Sequence, residues 1–69
     1  MSKYKMVITW SQADGAYLVE VPELPGCMAD GRTREEAIKS AEEVIQEWIG
    51  MANEMGRQIP QPSLVVETA

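Results

Sequence analysis

A chain of 69 residues with one cysteine and no histidine lacks the second thiol for an internal disulfide and any imidazole for a zinc site, so the usual staples of small domains are excluded. Its 6 Lys and Arg against 11 Asp and Glu leave a formal charge of -5, which argues against a phosphate-reading surface, because such surfaces need clustered cations. A domain this short buries only about 60% of the surface its unfolded chain exposes, so a homodimer or higher oligomer is expected to cover part of the apolar remainder.

Residues 4–11 alternate, with Tyr4, Met6, Ile8 and Trp10 on one face and Lys5, Val7, Thr9 and Ser11 on the other, as a half-buried strand requires. Asp14-Gly15 is the turn, and 16–21 alternates in the opposite parity. A two-residue loop at Asp14-Gly15 sets Trp10 opposite Val19 and Ile8 opposite Val21, gathering Met6, Ile8, Trp10, Tyr17, Val19 and Val21 on one face. Two prolines, Pro22 and Pro25, bring no ladder donors, so the chain must turn there. Cys27-Met28-Ala29 is a short third strand before Asp30-Gly31 turns the chain once more.

Thr33 opens a helix. Its hydroxyl accepts from the Glu36 amide, and the Glu36 carboxylate is expected to reach back to the Thr33 amide, a capping box ahead of an apolar run. Ala37, Ala41, Val44, Ile45, Trp48, Ala52 and Met55, widened by Ile38 and Ile49, follow the helical period, predicting one helix over 34–55 with Gly56 as its stop. Gly50 inside it costs about 1 kcal/mol relative to alanine, and the expected reason is close packing of another backbone or, as the alternative, a bend beginning in the last turn. After Ile59-Pro60-Gln61-Pro62, residues 64–67 read as a last strand returning to the sheet. The order is β-β-β-α-β, an α+β fold of two layers with one long helix on a small, mostly antiparallel sheet.

The motifs Pro22-Glu23-Leu24-Pro25-Gly26-Cys27, Gly31-Arg32-Thr33-Arg34-Glu35-Glu36-Ala37 and Gly56-Arg57-Gln58-Ile59-Pro60-Gln61-Pro62-Ser63, in this order below an Asp-Gly hairpin, resemble the HicB-like antitoxin family over nearly the whole chain. Glu23 stands where the family more often has Asp, and Arg32 where an acidic residue is common. The resemblance implies one HicB-like domain over 1–69 with a reduced ribonuclease H-like fold. It implies action by binding rather than catalysis, toward a HicA-type toxin, a small basic mRNA-cleaving protein whose catalytic site the antitoxin covers. Longer members add a DNA-binding segment; with the chain ending at Ala69, no direct nucleic-acid contact is expected.

The residues themselves offer little chemistry. Asp14 and Asp30 read as turn residues and Glu20 as a solvated carboxylate, so a residual metal-dependent nuclease is the weaker alternative, and no catalytic, cofactor or metal site is expected. Cys27, with no histidine to activate it, reads as an inert buried thiol. Trp10, Trp48 and Tyr17 read as core. The partner-binding candidates are Tyr4, at an exposed strand end, and Glu35, Glu42, Glu43 and Glu47 on the acidic helix face. A second alternative is a stand-alone oligomeric interaction module without a toxin partner. The N-terminus Met1-Ser2-Lys3-Tyr4-Lys5 lacks the apolar core of a signal peptide, and no run of ~18 apolar residues occurs; a cytoplasmic protein with no membrane contact is expected.

Overall fold

The computed structural model describes residues 3–62. Three strands, β1 (Val7–Ser11), β2 (Ala16–Glu20) and β3 (Met28–Gly31), form an antiparallel meander in the order β1-β2-β3, and helix α1 (Arg34–Glu54) follows. The expected strand over 64–67 lies outside the described residues.

The faces of the first hairpin are as its alternation requires, but the register differs from the expected one. Trp10 pairs with Tyr17 and Ile8 with Val19, two residues nearer the turn than a two-residue loop gives. Ser11 explains the shift. Its hydroxyl donates to Asp14 Oδ2 at 2.8 Å and accepts from the Asp14 N–H at 3.3 Å, closing a longer loop over 12–15 that Gly15 completes at φ 61°. A shift by two leaves every side chain on its original face, so the core set survives.

Between β2 and β3 the two prolines bracket a compact loop rather than a simple reversal. Val21 N donates to Cys27 O at 3.0 Å, Leu24 N to Val21 O at 3.1 Å, and Cys27 N to Leu24 O at 2.9 Å. These bonds turn Leu24 inward, where it is fully buried with Val21, Cys27 and Ile45. Trp48 Nε1 donates to Pro25 O at 2.9 Å, tying the loop to the helix.

Thr33 caps α1, accepting from the Glu36 N–H at 3.1 Å. The reciprocal bond falls one residue earlier than expected: Glu36 Oε2 accepts from the Arg32 N–H at 3.1 Å, so the carboxylate satisfies the strand exit rather than the cap residue. At the other end Gly56, at φ 68°, donates to Asn53 O, and Arg57 N donates to Ala52 O at 2.8 Å. This paired closure is what a left-handed glycine past a helix end permits.

Small residues set how closely the helix lies. Ala37 and Ala41 pack on Val19, while Ile45 fills the wider space over Val21, Leu24 and Cys27. Gly31, expected as a turn residue, is instead the last rung of β3 opposite Tyr17, and the helix start rests directly on it. Two helix positions depart from expectation. Met55 is 64% exposed rather than part of the apolar stripe. A side chain at Gly50 would meet nothing within 4 Å, so no close packing accounts for it.

Candidate functional site

Among the described residues no group of three or more Cys, Asp or Glu lies in a position to hold an ion. Asp14 is held in the hairpin loop by Ser11, and Glu20 and Asp30 sit on different strands, opposite Met28 and Leu18 respectively. Two-metal hydrolysis needs carboxylates converging on ions about 4 Å apart, which this arrangement does not supply.

Cys27 is buried in the core beside Leu24 and Ile45, and burial pushes its thiol above the usual cysteine value. The reactive thiolate is therefore scarce at neutral pH. Iodoacetamide should modify Cys27 at least about 100-fold more slowly in the native chain than in denaturant, with protection tracking global stability; equal rates would show an open path to the sulfur. Since the folded chain holds this proton more tightly, the thiol's stabilising effect is complete below its ordinary pKa. It fades as pH rises through the raised value, where the unfolded chain has already lost the proton.

The candidate partner residues fall in three different settings. Tyr4 is half-buried ahead of β1, packed beside the Leu24 cluster, and its hydroxyl donates to Pro60 O at 2.6 Å. Glu43 faces an open groove of about 760 Å³ between α1 and the β3 edge, together with Asp30, Arg32, Glu36 and Lys39. Glu35 borders a smaller recess of about 320 Å³ with Tyr17, Arg32 and Arg34. Glu47 is exposed and Glu42 only partly so. Glu35 and Glu43, about two turns apart along α1, thus border different recesses, with Lys39 between them in sequence.

Two surface features are not what periodicity alone suggests. The helix lies over β3 and β2, so Trp10 on β1 is 51% exposed although it shares the helix-side face. Its ring meets Tyr17 edge-to-face at 4.9 Å, and the Arg34 guanidinium sits 5.1 Å from the Tyr17 ring centre, a cation–π contact. The second feature is the opposite face of the sheet. Val7, Thr9, Leu18, Glu20, Met28 and Asp30 project from it by the strand alternation, and no element among the described residues lies over them. Val7 is 40% and Met28 62% exposed.

Fold and surface together define a two-layer α+β protein that leaves one face of its sheet uncovered by any element among the described residues. No helix among the described residues is long and apolar enough to cross a membrane. The model of the HicB-like antitoxins of bacterial toxin–antitoxin systems matches residues 4–69, and the chain belongs to that family. The UPF0150 protein Ta0767 of Thermoplasma acidophilum is 39% identical over 59 residues, 86% of this chain and 84% of its own. The UPF0150 protein ssl0259 of Synechocystis sp. is 32% identical over 63 residues, 91% of this chain and 84% of its own.

Proposed function

We propose that the protein is the antitoxin of a type II pair, binding and inhibiting a HicA-type mRNA-cleaving toxin through protein–protein contact. Membership of the antitoxin family over residues 4–69 carries this reading. The charge of -5 supports it, because an acidic field accelerates capture of a basic protein and repels RNA from the antitoxin itself. Glu35, Glu42, Glu43 and Glu47 contribute to that field from the helix. In this reading the protein acts in the cytoplasm as a self-associating binder, without catalysis and without nucleic-acid contact of its own.

The test is RNA cleavage by a purified HicA-type toxin encoded beside this chain. Addition of the protein at an equimolar ratio is expected to abolish cleavage; cleavage persisting in excess protein removes the antitoxin reading for that pair. Light scattering on the free protein checks self-association in the same preparation, with a mass above 7.7 kDa as the expected result.

A further inference from the structure

The face of the sheet turned away from α1 combines apolar side chains with predominantly acidic charge. Leu18, on the middle strand, is half-buried, and Val7 and Met28 flank it diagonally from either side. A recess of about 490 Å³ opens beside them, lined by Leu18 and Met28 together with Asp14 and Asp30. The charged residues that the three strands present here are Glu20 and Asp30, both acidic, and Lys5, just ahead of β1 and in step with Val7, adds one cation. The groove beside the helix shares Asp14 and Asp30 with this recess and adds Glu36 and Glu43 together with Arg32 and Lys39.

This combination selects an occupant. A second copy related by a two-fold axis would bring the same face against itself, so Asp14, Glu20 and Asp30 of each copy would meet with Lys5 alone to offset them, and a surplus of like charge at an interface is costly. Nucleic acid is repelled by the same carboxylates. A basic protein meets both requirements, placing an apolar anchor against Leu18 and Met28 while its Lys or Arg side chains meet the carboxylates. We infer that the uncovered sheet face is the docking surface for a basic partner protein, and that in the antitoxin reading, on which this inference rests, the toxin seats there rather than on the helix. Val7, Leu18 and Met28 supply the apolar centre, and Asp14, Glu20 and Asp30 supply the charge.

The experiment compares three forms of the full chain against the purified HicA-type toxin: wild type, Glu20→Lys/Asp30→Lys, and the helix variant Glu42→Lys/Glu47→Lys, which makes the same change in net charge. Circular dichroism checks that all three fold, and Met28→Ala, an exposed apolar truncation, provides a charge-neutral fourth form. The sheet-face double variant is expected to weaken toxin binding by about tenfold or more, against about threefold or less for the helix variant. Amide signals of β1, β2 and β3 should shift on titration with toxin. Wild type inhibiting cleavage while Glu20→Lys/Asp30→Lys and Met28→Ala inhibit equally well overturns the face and leaves the antitoxin reading intact. Wild type failing to inhibit overturns both. If the sheet-face substitutions instead change the mass of the free protein, the occupant is a second copy and the assignment fails.

Discussion

Replacing Gly31 by alanine is expected to cost about 3 kcal/mol, the upper end of what overpacking costs in a well-packed interior. A Cβ at this position would lie 2.7 Å from both Ala37 Cα and the Glu36 carbonyl carbon, and it would press on Ala37 N as well. All three are backbone atoms of the first helical turn, so no side-chain rotation relieves the contact. Relief requires lifting α1 from β3, which loosens Ala37 and Ala41 on Val19 and strains the Thr33 cap. Domains of this length hold only about 3–10 kcal/mol in total, so the variant should be partly unfolded at 25 °C. Gly50→Ala is the matched control. It fills open space on the same helix, and higher helix propensity should stabilise it by about 1 kcal/mol. Urea midpoints at one fixed protein concentration separate the two, since self-association makes apparent stability concentration-dependent. A Gly31→Ala midpoint equal to that of the wild type would show that the helix does not rest on β3.

Gly31 also marks where local reading stops. Sequence spacing carried the strands' faces, the Thr33 cap and the Gly56 stop, because each depends on residues within about one helical turn or one hairpin. An Asp-Gly pair ahead of a helix reads as a turn; only the docking of α1 turns Gly31 into a packing requirement. Register was lost for a related reason. Ser11 spends its hydroxyl on Asp14, and that side-chain bond selects a longer loop than the Asp-Gly signal specifies by itself. Trp10 was on the correct face in sequence, yet its exposure follows from the helix lying over β3 and β2.

The surface was legible only in composition. Counting carboxylates gives the charge of the helix, but not that Glu35 and Glu43, about two turns apart, border different recesses. The outer sheet face holds fewer charges, acidic but for Lys5, which depends on which strand residues share a parity and which side the helix covers. Alternation gave the parity. The covered side follows from Val19 packing on Ala37 and Ala41 and from Val21, Leu24 and Cys27 packing on Ile45, a tertiary outcome that no short window encodes.

Leu24→Ala should produce a comparable loss by the opposite fault, a void instead of a clash. The side chain is fully buried against Val21, Cys27 and Ile45, and truncations of this kind cost about 2–5 kcal/mol, with the cavity adding to the lost transfer energy. The loop's backbone bonds, Leu24 N to Val21 O and Cys27 N to Leu24 O, do not need the leucine side chain, so the loss isolates packing from loop geometry. It should also be visible before global unfolding. Trp48 is held by its bond to Pro25 O on the same loop and packs against the same cluster; in a Trp10→Phe background it is the sole remaining indole of the chain's 2. Its emission should shift to the red in Leu24→Ala at urea concentrations where the helical signal of α1 is still native, because the loop loosens from its anchor first. Coincident loss of fluorescence and helical signals would mean that the loop and helix form one cooperative unit. An unchanged midpoint would mean that Leu24 does not plug the core, and the two prolines around it would then do no more than reverse the chain.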